Sequence, residues 1–83
     1  MAQQSFYVSV GDQVFIDPGP EEVGAVRKVA HDHLVVYIEN SGDFHVEAPA
    51  VKAVHSGKVV LDPTQVSPEL LVAAQHAHEH ETE

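Results

Sequence analysis

Apolar residues recur at every second position through most of the chain, and this period changes only near the end. In "SFYVSV" (5–10), Phe6, Val8 and Val10 share one face of an extended segment, and Gly11–Asp12 then interrupts it. In "QVFID" (13–17), Val14 and Ile16 lie on one side and Gln13, Phe15 and Asp17 on the other. Phe15 therefore sits on the polar side, where it either covers a sheet edge or meets a partner. "PGPEE" (18–22) holds two prolines and a glycine, so it reads as an exposed acidic turn. "VGAVRKV" (23–29) and "HLVVYIE" (33–39) predict two strands joined by a short turn at His31–Asp32. "NSGD" (40–43) is a further turn, and "FHVEA" (44–48) alternates Phe44, Val46 and Ala48 against His45 and Glu47. Pro49 interrupts pairing and places this strand end at an edge or bulge. Ala50 to Asp62 forms a last hairpin around Ser56–Gly57.

Beyond Asp62 the pattern becomes helical. Ser67 is placed as N-cap, Pro68 at the first helical position and Glu69 near the positive end of the helix dipole. Leu70, Leu71, Ala74 and Ala77 form an apolar stripe, with Val66 as a staple before the cap. The expectation is about six short strands followed by a helix of about three turns. Because most connections read as hairpins, the predicted fold is all-β with a C-terminal helix, a small, highly curved antiparallel β-barrel. Residues 1–64 would make the barrel, and 65–83 the helix with an acidic, His-rich tail.

An internal repeat bears on how such a sheet curves. "AVRKVAHDHLVV" (25–36) aligns with "AVKAVHSGKVVL" (50–61), placing Val26 on Val51, Arg27 on Lys52 and Val29 on Val54. Within each copy the two outer valines have the wrong parity for one flat strand. A bulge or sharp bend between them would turn both toward the interior. The alternative is that valine-rich hairpins match by chance.

Two segments resemble the PRC-barrel superfamily. In "VGDQVFIDPGPEEVGAVRKV", Gly11, Val14, Asp17, Val23, Gly24 and Val26 occupy the places of its opening signature. In "VEAPAVKAVHSGKVVLD", Pro49, Val51, Val54, Gly57, Val59 and Leu61 are similar to its closing pattern. The likeness covers about residues 8–62. It implies a small curved barrel with a role in binding and assembly, not catalysis. Members with a transmembrane helix or an additional domain differ from this chain, so the resemblance implies the stand-alone group.

Composition narrows the partners. The 83 residues carry 13 acids against 4 basic residues, a formal charge of −9. Arg27, Lys28, Lys52 and Lys58 cannot form the basic stripe that a nucleic acid or an anionic membrane surface requires. If all seven histidines were protonated the charge would move to −2, so solubility and self-association are expected to change between about pH 5.5 and 7. No apolar run approaches the roughly 20 residues of a membrane span, and "MAQQSFYVSV" lacks the pattern of a signal peptide. There is no cysteine. A cytoplasmic location is the expectation.

Candidate chemistry is confined to histidines. In "QHAHEHETE", His76 and His80 are four apart and would share a face of a continued helix, able to chelate zinc, nickel or copper. His78 would point elsewhere on that helix, but in an extended tail His76, His78 and His80 share one side. The plainer reading is a solvated terminus whose histidines sit well near the negative helix end. His31 and His33 in "HDH" make a second half-site if extended, and Asp32 could orient one of them. More often such a triplet is a polar hairpin tip. His45 is expected to face outward beside Glu47, and His55 is isolated. Ser5, Ser9, Ser41, Ser56 and Ser67 lie in no nucleophile motif, and no phosphate-binding loop occurs.

These observations favour a non-enzymatic binding or assembly module that self-associates. A small core without disulfides gains by burying more surface. Tyr7, Phe15 and Tyr37 fall on faces that alternation leaves exposed, and the stripe of Leu70, Leu71 and Ala74 needs something to cover it. A homo-oligomer is the expected partner. The alternative is a metal buffer or sensor using the C-terminal histidines.

Overall fold

The computed structural model describes residues 8–19 and 21–77. Six strands form one sheet: β1 (Gln13–Ile16), β2 (Glu22–Val29), β3 (His33–Ile38), β4 (Gly42–Glu47), β5 (Val51–His55) and β6 (Lys58–Leu61). A 3-10 turn, Ala48–Ala50, joins β4 to β5, and one helix, α1 (Pro68–Gln75), follows the last strand. The mainly β character with a short C-terminal helix is as the alternation predicted.

The closed antiparallel barrel is not found. The strand order is β4-β3-β2-β1-β6-β5, with β4 and β5 as two open edges. Moreover, β1 runs parallel to β6, pairing Val14 with Val59 and Ile16 with Leu61. Counting hairpins makes every chain neighbour an antiparallel pair. It cannot detect that the first strand and the last lie side by side. The edges fail to join because the link between them is not extended. Pro49 has no N–H to donate, and the Ala48–Ala50 turn breaks the ladder where β4 and β5 would meet. The N–H of Ala48 adds one more rung to the β3–β4 ladder, donating to the carbonyl of Asp32 at 3.2 Å. Three residues span only about 10 Å, so the sheet curves until its two edges approach at this corner.

Period-two alternation fills the concave side. Leu34, Val36 and Ile38 of β3 are buried, and so are Val14, Val26, Val46, Val59 and Leu61 from the other strands. No polar or charged residue is buried among the described residues. Burial of such an aliphatic side chain stabilises by about 1.5–3 kcal/mol, which identifies this cluster as the main source of stability.

Both predicted bulges exist. The register shifts between Val26 and Lys28 on β2, and between Val51 and Ala53 on β5. The bulges bring Val26 and Val54 to the core side, but Val29 remains 41% exposed at the hairpin end. The pairs Val26–Val36, Lys28–Val35 and Val29–Leu34 correspond one for one to Val51–Leu61, Ala53–Val60 and Val54–Val59. The two hairpins are therefore structural equivalents.

The expected strand before Gly11 is not formed by its described residues. Asp12 Oδ2 accepts from the Ser9 N–H at 2.8 Å, and the Asp12 N–H donates to the Ser9 carbonyl. This tight turn ends the alternation and leaves Val10 66% exposed. Phe6 lies outside the described residues.

Helix α1 starts as predicted. The Ser67 hydroxyl accepts from the Leu70 N–H at 3.1 Å, with Pro68 at the first position. It is shorter than predicted, eight residues, and ends at Gln75. Leu70, Ala73 and Ala77 enter the same core as the strands. Asn40 Nδ2 donates to the Ala77 carbonyl at 3.0 Å, tying the helix end to the β3–β4 turn. No helix among the described residues is long and apolar enough to cross a membrane.

Candidate docking face and histidine cluster

A concavity lies between α1 and the loop that joins β1 to β2. It has a volume of about 610 Å³. Ile16, Val23, Pro63, Leu71 and Ala74 supply apolar lining, with Asp17, Glu21 and Gln75 among the polar members. Asp17 is paired with Lys52 Nζ at 2.8 Å, which neutralises one rim acid and holds the lysine pKa above its ordinary value. Among the described residues, Asp17 and Glu21 are the titratable groups that line the groove.

The helix separates the predicted stripe into two roles. Leu70, expected on the docking stripe, is instead fully buried in the core cluster that the strands supply. Leu71 and Ala74 line the groove, and Val72 beside them is 53% exposed. Ala73 takes the core position that the sequence stripe omitted.

The two described aromatics of the predicted surface lie on the convex face of the sheet. Phe15 is half-buried and lines a depression of about 220 Å³ with His55, Lys58 and Val60. Tyr37 is half-buried under Arg27, whose guanidinium carbon stands 5.0 Å from the ring centre. Arg27 Nε in turn lies 3.4 Å from Asp43 Oδ1. Tyr37 is thus covered by its own chain, while Phe15 borders open space. Tyr7 lies outside the described residues.

The tail histidines are not brought onto one described helix. His76 caps α1 with φ −98° and ψ 2°, and its N–H bonds the Ala73 carbonyl. The i, i+4 face required for His76 and His80 is therefore not continued by α1, and His78 and His80 lie outside the described residues. Among the described residues no group of three or more metal-binding side chains is assembled.

A different histidine pair does come together. His33 and His45 stack with ring centres 4.3 Å apart and planes 19° apart. Each has its own carboxylate: His33 Nδ1 lies 2.7 Å from Asp32 Oδ1, and His45 Nε2 lies 2.7 Å from Glu47 Oε2. The hydrogen bond to His33 holds the Asp32 carboxyl below the usual aspartate range. Asp32 does orient a histidine, as one reading of "HDH" held. The pairing with His45 was missed. Its signal lay in the β3–β4 register: Glu47 is opposite His33 and His45 opposite Val35, so the two histidines are diagonal neighbours on one face.

Comparison of the chain with protein-family models, with curated proteins and with solved structures finds no match to any of them.

Proposed function

We propose that this chain is a non-enzymatic assembly module that associates with a second copy of itself through the outer face of α1. The observation that carries this reading is the apolar character of α1 on both of its sides. Leu70 and Ala73 face the core, while Leu71, Val72 and Ala74 border the groove or solvent. A helix that is hydrophobic all round is normally covered all round. The occupant follows from charge. Two chains of −9 repel wherever their acids face one another, and α1 carries only Glu69 as a charged residue. The pairing of Asp17 with Lys52 reduces the charge on the groove rim further. Among the described residues this face carries Glu21 and Glu69 beside the Asp17–Lys52 pair, so two acidic copies meet few like charges there, and Ala74 lets a second backbone come close. The resemblance of residues 8–62 to PRC-barrel sequences supports the same reading, since binding and assembly are that superfamily's common theme.

Sedimentation velocity across low to high micromolar concentration tests the proposal. A reversible dimer is expected, lost on Val72→Glu and retained on Val29→Glu, which places the same charge at an exposed site on β2. A chain that stays monomeric at several hundred micromolar, or a dimer that survives Val72→Glu unchanged, overturns it.

A further inference from the structure

The His33–His45 pair lies apart from α1 and is not used by the docking face. Its geometry has a specific chemical consequence. A carboxylate accepts a hydrogen bond, so in each neutral imidazole the hydrogen sits on the nitrogen that faces the acid. For His33 that is Nδ1, bonded to Asp32, and for His45 it is Nε2, bonded to Glu47. The tautomers are thereby set, and His33 Nε2 and His45 Nδ1 retain their lone pairs. A carboxylate behind an imidazole also raises the basicity of the opposite nitrogen, an arrangement that recurs behind metal-binding histidines.

We propose that His33 and His45 form a two-imidazole site for a divalent transition-metal ion of the zinc, nickel and copper class, with Asp32 and Glu47 as positioning residues. Imidazole nitrogen is a ligand these ions share. Strands β3 and β4 hold the two side chains at a fixed diagonal separation, so the second ligand is presented once the first has bound. The ring planes lie 19° apart. His45 is 54% exposed and Glu47 67%, against 25% for His33, so convergence of the lone pairs falls to the outer pair: His45 turns and the Glu47 side chain follows it, while His33 keeps its bond to Asp32. With only two protein donors the remaining positions fall to water. The site is therefore an open, exchangeable one, unlike the closed four-ligand geometry of structural zinc.

The experiment uses the full chain with His76, His78 and His80 all replaced by alanine, so that the tail does not contribute. Zinc chloride is titrated by calorimetry, and imidazole ¹⁵N resonances are followed by NMR. One ion per chain is expected, with zinc moving His33 Nε2 and His45 Nδ1 while the two acid-facing nitrogens stay protonated. His33→Ala and His45→Ala should each weaken binding by roughly tenfold or more, to a common level. Glu47→Gln should weaken it by about 10- to 100-fold with the metal-free melting temperature unchanged, an effect that a purely structural contact would not produce. The tail-free chain failing to bind, His45→Ala binding like its parent, or shifts confined to His31 and His55 would each overturn the site and leave the stack as packing alone. The α1 interface is measured without metal, so it stands or falls independently.

Discussion

Arg27 and Lys52 are equivalent residues, twenty-five positions apart, each occupying the bulge of its own hairpin. Each also reaches an aspartate from outside that hairpin: Arg27 pairs with Asp43 of β4 at 3.4 Å, and Lys52 with Asp17 after β1 at 2.8 Å. The bulge inserts an extra residue and bends the strand; on β5 Val51 and Val54 then both pack against the core, while on β2 Val26 is buried and Val29 stays exposed. These pairs are half-exposed, and exposed pairs of this kind add little stability. The backbone insertion is the part that matters.

Deleting Arg27 should therefore be far worse than truncating it. Arg27→Ala removes a surface ion pair and the cover over Tyr37, a loss of about 1 kcal/mol. Deletion removes the bulge and shifts Lys28 and Val29 by one residue against Val35 and Leu34, so that the end of the β2–β3 ladder must break or turn its side chains to the other face. A loss of about 3 kcal/mol or more is expected, enough to abolish a cooperative transition in a domain this small. Urea unfolding followed by circular dichroism distinguishes the two. Equal midpoints for the deletion and the alanine variant would contradict this account of the repeat.

Gly24 is required for a reason unrelated to its torsions. It sits on β2 across from Ile38, and a Cβ there would fall 1.8 Å from the Tyr37 carbonyl oxygen. Backbone cannot yield as a flexible side chain does. Gly24→Ala is expected to destabilise by about 3 kcal/mol, at the upper end of overpacking effects. The denaturation midpoint measures this, and a midpoint within error of the parent would count against the β2–β3 register.

The two sides of α1 should respond differently. Leu70→Ala opens a void in the core and should cost about 2–5 kcal/mol in the monomer. Val72→Ala should leave monomer unfolding within about 0.5 kcal/mol of the parent, because Val72 contacts mostly solvent there, while weakening association. Thermal melts at low micromolar concentration, with sedimentation at high concentration, read the two effects separately. Ser67→Ala removes the hydroxyl that accepts from Leu70 and should cost about 1 kcal/mol.

Acid should loosen the entry to the helix. The Thr64 hydroxyl and backbone N–H both donate to Asp62 Oδ1, at 2.7 and 2.9 Å, and hold its carboxyl below the ordinary 3.8. A carboxyl depressed in the folded state stabilises the fold above its unfolded pKa, and that contribution is lost as pH falls through the lowered value. The Asp62→Asn variant should therefore show a shallower loss of stability than the parent below about pH 4. Urea midpoints measured from pH 2.5 to 6 test this, and identical acid limbs would remove Asp62 from the account. Lys52 behaves in the opposite sense: its raised pKa gives stability that is complete below the ordinary 10.5 and is lost as pH rises through the higher folded value.

Local order explains which features were legible beforehand. Alternation identified β1 to β6, since a strand half in the core must repeat with period two. Ser67, Pro68 and Glu69 marked the helix start, because a cap acts within one turn of itself. A bulge or bend in each hairpin was one reading of the valine parity; it holds for Val51 and Val54, while Val29 stays exposed despite the bulge at Arg27. All of these depend on residues within one or two elements of each other. Pro49 marked the end of β4 as an edge, but the tertiary structure alone decided that β1 lies parallel to β6, that β5 is the other open edge, and that Leu70 turns inward while Leu71 does not. It alone set His45 against His33. Each of those outcomes turns on segments that meet only after the sheet has curved, and a hydrophobic pattern states which side of a strand is buried without stating which strand will lie beside it.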